Sequence, residues 1–133
     1  MTVIDTSGVV DYLLGVGAAH EVQRLIEVEG ELAAPDVLVF EVIAVLRRFY
    51  LRGELDEPRA AGAIADLGGL PIALYPSLPL SEPAWGMRAN LSVADALFVA
   101  LAQQLAEALA TKDRSLAEAI SSESLLDDPV LVL

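Results

Sequence analysis

Cysteine is absent from the sequence, histidine and tryptophan occur once each, and only eight residues are lysine or arginine. Without cysteine, disulfides and thiolate metal sites are excluded, as suits a protein of the reducing cytoplasm. The single histidine, His20, lies in an amphipathic pattern among polar neighbours and is expected at the surface, away from any zinc site. Long apolar runs are missing too. The greasiest stretch, "VLVFEVIAVL", carries Glu41 near its centre and is far too short to cross a bilayer. Asp5 interrupts the N-terminus before an apolar signal-peptide core can form. The expectation is a soluble cytoplasmic protein.

What the chain has instead is acid. Twenty aspartates and glutamates against eight basic residues give a formal charge of −12. Such a charge favours solubility and repels polyanions at long range, which argues against a broad nucleic-acid groove. With 55% hydrophobic and 21% charged residues over 133 positions, disorder is excluded and one domain, 1–133, with a real core is expected.

Short β-like runs alternate with longer helical ones. Thr2–Ile4, Glu31–Ala33, Ile72–Tyr75, Ala108–Ala110 and Val130–Val132 read as strands. Between them, "SGVVDYLLG" and "AHEVQRLIEVEG" read as helices closing at Gly15 and Gly30, and "DVLVFEVIAVLRRFYLRG" as one of nearly five turns. Asp56 with Pro58 opens another helix. "SEPAWGMRAN" follows, stopping at a left-handed Asn90 and burying Trp85; the alternative for Trp85 is a contact surface. Ser92 caps "VADALFVALAQQLAEA". Strands separated by helices imply crossovers, hence a short-stranded parallel sheet in a three-layer α/β/α sandwich. Sites in such sheets lie beyond the carboxyl ends of the strands.

Four acids stand where solvated surface is not expected. Asp5 and Asp113 follow strand-like runs, Asp95 begins an apolar helix, and Glu41 lies mid-helix among apolar neighbours. Each has an ordinary structural alternative. Asp95 stands three residues after Ser92 in a capping-box spacing, and Asp5 and Asp113 could serve helix starts. Glu41 could pair with Arg48 or Arg52, which fall within about 20° of its direction on a helical wheel but two and three turns away. If the four converge, repulsion raises their pKa values unless a cation neutralises them. Oxygen donors alone select a hard ion, Mg²⁺ or Mn²⁺, and carboxylate-held Mg²⁺ points to phosphodiester chemistry with a metal-activated water.

The segments "VIDTSGVVDYLL", "APDVLVFEVIAVLRR", "NLSVADALFVALAQ" and "LATKDRSLAEA", in this order, make the whole chain resemble the PIN-domain nucleases, and among them the VapC-type toxins of toxin–antitoxin pairs. The resemblance implies a metal-dependent endoribonuclease. In that family's acidic quartet Asp5 and Asp95 would be the principal ligands of one or two Mg²⁺ or Mn²⁺ ions. Asp113 would complete the set, and Glu41 would act directly or through water. Thr6, beside the first acid, and Thr111, two residues before the last, are candidates to orient those ligands. One departure is visible: relatives often carry an aromatic directly before the third acid, where this chain has Ala94, which bears on pocket shape and substrate choice. The resemblance further implies a homodimer and a small VapB-like antitoxin whose C-terminal segment covers the site.

RNA contact on so acidic a chain must rest on local features: the metal ions and the candidate phosphate contacts Arg48, Arg52, Lys112 and Arg114, each of which could equally be solvated surface charge. Three rival readings follow from the residues. A non-catalytic acidic interaction module requires that the four acids not converge. A haloacid-dehalogenase-type phosphatase needs a second aspartate at position 7, where this chain has Ser7. A PIN nuclease outside toxin–antitoxin systems is the nearest alternative, and would lack an adjacent antitoxin gene.

Overall fold

Parallel pairing needs crossovers, and the chain supplies a helical one between every two strands. The computed structural model describes all 133 residues. Strands β1 (Val3–Ile4), β2 (Leu32–Pro35), β3 (Ile72–Tyr75), β4 (Leu109–Thr111) and β5 (Leu131–Val132) form one sheet in the order β3-β2-β1-β4-β5, parallel throughout. The expected strands are all present, β3 with the expected ends and the others with one or both ends shifted by one or two residues.

From β1 the chain runs outward through α1 (Thr6–Leu14) and α2 (Ala19–Glu29) to β2, then through α3 (Val37–Leu51) and α4 (Glu57–Leu67) to β3. It then crosses back by α5 (Ser81–Gly86) and α6 (Val93–Leu105) to β4 on the other side of β1, and by α7 (Arg114–Ser122) to β5. Right-handed crossovers running in opposite directions put their helices on opposite faces. The packing agrees: α1 lies against α2, α3 and α4, whereas α6 lies against α5 and strands β1, β2 and β4. This is the expected α/β/α sandwich. Because the winding reverses between β1 and β4, a crevice opens at their carboxyl ends.

The sheet is buried because both its faces are covered. Val3, Ile4, Leu32, Ala33, Ala34, Leu109 and Ala110 have no exposure, and α6 adds Ala96, Val99 and Leu101 to the same core. Small residues on the strands let α6 approach closely.

Two expectations fail around α5. That helix ends at Gly86, and Asn90 does not take a left-handed conformation. The residues after Gly86 close in turns, with Asn90 and Leu91 both donating to the Met87 carbonyl. Trp85 is 64% exposed rather than packed in the core: Ala84 and Met87 take the buried direction, and the tryptophan points outward with the Arg88 guanidinium 4.7 Å from its ring centroid. The left-handed stop lies instead at Ala106, with φ +53, where α6 ends. No helix is long and apolar enough to cross a membrane.

Candidate functional site

Asp5, Asp95 and Asp113 reach the site because each stands at the start of a helix. Asp5 is the N-cap of α1 in an extended conformation, accepting from the Gly8 N–H at 3.3 Å, and its own N–H donates to Ala110 of β4. Asp113 caps α7 through the Leu116 N–H at 3.1 Å. Ser92 caps α6 by accepting from the Asp95 N–H at 3.2 Å. The capping alternatives are therefore real for Asp5 and Asp113, where capping orients the carboxylates at the carboxyl edge of the sheet, and they coexist with convergence; Asp95 gives only its N–H to the Ser92 cap, and the reciprocal bond of a capping box is not made.

All four acids line one pocket of about 480 Å³, in company with Thr6, Ser7, Asp11, Arg48 and Lys112. Its other wall is apolar, formed by Val10, Ala44, Val45 and all three phenylalanines of the chain, Phe40, Phe49 and Phe98. The pocket lies at the β1/β4 switch point, with α3 leaning over it.

Hydroxyls hold the carboxylates in place. Asp5 Oδ1 accepts from Ser7 Oγ at 2.7 Å, and Asp5 Oδ2 accepts from the fully buried Thr111 hydroxyl. Thr111 Oγ1 in turn accepts from the Asp113 N–H at 3.0 Å, so one side chain orients two acids. Thr6 donates to Glu41 Oε1 at 2.6 Å, linking α1 to α3. Glu41 forms no ion pair with Arg48 or Arg52. Its proposed arginine partner is thus replaced by a neutral hydroxyl, and its charge stays uncompensated.

The electrostatics record the crowding. Burial raises the Asp5 carboxyl above its ordinary value, opposed by its Thr111, Ser7 and Gly8 hydrogen bonds and reinforced by repulsion from Asp113. Burial also raises Asp95, opposed by Ser92 and reinforced by Asp113, Asp5 and Glu41. Each of the four therefore bears on another, and none is neutralised by a basic side chain. No three of the chain's acids and histidine are gathered into a ready-made cage for an ion. Bare carboxylates repel, and closer approach requires a cation between them.

The other candidates divide. Arg48 and Lys112 line the pocket, whereas Arg52, at the end of α3, and Arg114, at the start of α7, are exposed outside it. Lys112 is not a free surface charge: its ammonium lies 2.6 Å from Asp11 Oδ2. Asp11, a buried carboxylate on the pocket wall, escaped the sequence reading. The signal that singled out Glu41, an acid among apolar neighbours, is present in "VVDYLL" as well. Ala94 does not line the pocket, and His20 is exposed as expected.

The chain is similar along most of its length to ribonucleases of the VapC type. Ribonuclease VapC1 of Mycobacterium tuberculosis is 42% identical over 118 residues, covering 88% of this chain and 89% of the relative. Ribonuclease VapC9 of the same organism is 36% identical, with 89% and 90% covered, and Ribonuclease VapC12 is 30% identical, with 89% and 91% covered. The PIN domain model matches residues 2–120, a span that contains all four convergent acids. These likenesses place the chain in the PIN domain family.

Proposed function

We propose that this chain is a metal-dependent endoribonuclease and the toxin of a toxin–antitoxin pair, working in the cytoplasm as a single domain. The observation that carries the reading is the convergence of Asp5, Glu41, Asp95 and Asp113, from four separate elements, in one pocket where none of them is ion-paired to a basic side chain. Asp5 is buried and Glu41 and Asp95 are half-buried; carboxylates crowded together there are costly, and a divalent cation is what would offset them.

The donor set fits a hard ion: carboxylates backed by hydroxyls, with no sulfur and no imidazole in the pocket. Asp5 and Asp95 would hold one or two Mg²⁺ or Mn²⁺ ions, with Asp113 completing the set and Glu41 engaged directly or through water. When bound, such an ion supplies a nucleophilic water at neutral pH and charge stabilisation at the phosphodiester. Thr111 fixes Asp5 and Asp113 to one another, and Thr6 keeps Glu41 turned toward the same space. Phe40, exposed on α3 beside Glu41, offers a flat apolar face on which a base of single-stranded RNA can stack. Arg48 and Lys112 stand where flanking phosphates would pass, while Arg52 and Arg114 are more distant candidates for the same role.

The partner part of the reading rests on exposed apolar surface. Val39, Ile43, Ile64 and Leu74 on α3, α4 and β3 border one groove, and such surface suits a second copy or a small antitoxin.

Cleavage of a mixed pool of cellular RNA, with Mn²⁺, with Mg²⁺ and with EDTA, tests the proposal. Wild type should cut only with metal, and Asp5→Asn and Asp95→Asn should not cut at all. A well-folded wild type that leaves RNA intact with either ion would sink it.

A further inference from the structure

Lys112 is the only lysine in the chain, and it stands between the two residues that fix and complete the acidic site, Thr111 and Asp113. Its backbone N–H points at Ser7 Oγ, 3.4 Å away, and that same hydroxyl donates to Asp5. An ammonium on a flexible stem at this position has the four pocket carboxylates as natural acceptors. Bound there, it would compete with a divalent ion for the same oxygens. Its charge goes elsewhere, to Asp11 Oδ2 at 2.6 Å.

Asp11 is built to receive it. The carboxylate is buried on α1, and the oxygen that meets the lysine also accepts from the Ala18 N–H at 2.8 Å. Gly17 makes the space: a Cβ there would lie 2.1 Å from that oxygen, and the backbone has φ +51. The acceptor is thus fixed by the turn after α1, whereas the lysine side chain is 40% exposed and free to choose its partner.

We propose that Asp11 is a positioning residue that draws Lys112 off the acidic quartet and pins its ammonium to the pocket wall, leaving the four carboxylates open to a divalent ion. This rests on the metal-binding reading above. Asp11 itself holds no ion; it acts through the lysine.

Calorimetric titration of Mn²⁺ into wild type, Asp11→Asn, Lys112→Met and the double variant tests it. Asparagine keeps an acceptor for Ala18. With Lys112 released onto the quartet, Asp11→Asn should weaken Mn²⁺ binding by about tenfold or more. The same substitution should have little effect where methionine replaces Lys112, because nothing remains to be held away. A loss that is equally large in the Lys112→Met background, or no loss in Asp11→Asn alone, overturns the proposal. Failure of wild type to bind Mn²⁺ would overturn the metal reading and this inference with it.

A second measurement needs no variant at Asp11. Being the sole lysine, Lys112 gives one resonance in protein labelled at lysine ¹³Cε. Saturating Mg²⁺ should leave that signal in place in wild type, since the ammonium is already on Asp11; a large shift would mean that the ion displaces it from the quartet and would refute the proposal.

Discussion

Asp5 and Thr111, 106 residues apart in the chain, are joined by a hydrogen bond from the threonine hydroxyl to Asp5 Oδ2. The bond ties the last residue of β4 to the residue after β1, and the same hydroxyl accepts the Asp113 N–H. Thr111→Val keeps the shape but removes the donor to one acid and the acceptor for the other. Loss of about 10–100-fold in metal affinity or activity is expected. Thr111→Ser should recover most of it. Mn²⁺ titration and RNA cleavage, read together, check both variants.

The raised carboxyls make the metal-free protein pay in stability for its site. Asp5 and Asp95 both lie above their ordinary value of 3.8 in the folded state. Between the unfolded and folded values the native state binds more protons than the unfolded chain. The free energy of unfolding therefore falls as pH rises from about 3.8 through the folded values, and stays lower above them. Asp5→Asn lacks the Asp5 share of this effect and keeps only that of Asp95. Melting in EDTA from about pH 4 to pH 8 should show wild type losing stability relative to Asp5→Asn as pH rises, with the variant the more stable at neutral pH. The opposite trend would mean that Asp5 is stabilised by its hydrogen bonds more than burial penalises it.

Gly17 is fixed by both its backbone and its neighbour. Gly17→Ala puts a methyl 2.1 Å from Asp11 Oδ2 in a left-handed conformation. The backbone penalty alone is about 1–2 kcal/mol, and displacement of Asp11 adds to it. Chemical denaturation should show a loss of at least that size.

Phe40 tests the apolar wall. It is 72% exposed, so Phe40→Ala should leave the melting temperature nearly unchanged. If a base stacks on it, affinity for an uncleavable single-stranded RNA analogue measured with Mg²⁺ should fall by about 1–3 kcal/mol. Unchanged affinity would remove Phe40 from the substrate surface.

Much of the fold was legible because its determinants are local. Gly15 and Gly30 end their helices, Asp56 and Ser92 begin theirs, and β3 lies where its residues read as strand. The four acids were legible for a related reason: each breaks an apolar pattern or follows a strand, and the sheet order brings those breaks to one edge. What escaped depends on tertiary approach. Thr6 was legible beside Asp5, but not that it serves Glu41, which it reaches only because α1 packs on α3. The Lys112–Asp11 pair likewise joins a loop after β4 to the last turns of α1. Trp85 was misplaced because Ala84 and Met87, smaller or more flexible, took the inward positions of a helix shorter than its pattern suggested.

The most direct test of the metal site is anomalous scattering from crystals grown with Mn²⁺ and an uncleavable RNA analogue. A strong peak is expected in contact with Asp5 and Asp95, lost in Asp5→Asn crystals grown in the same way. A peak absent from the pocket, or bound by other residues while RNA occupies the crevice, would contradict it.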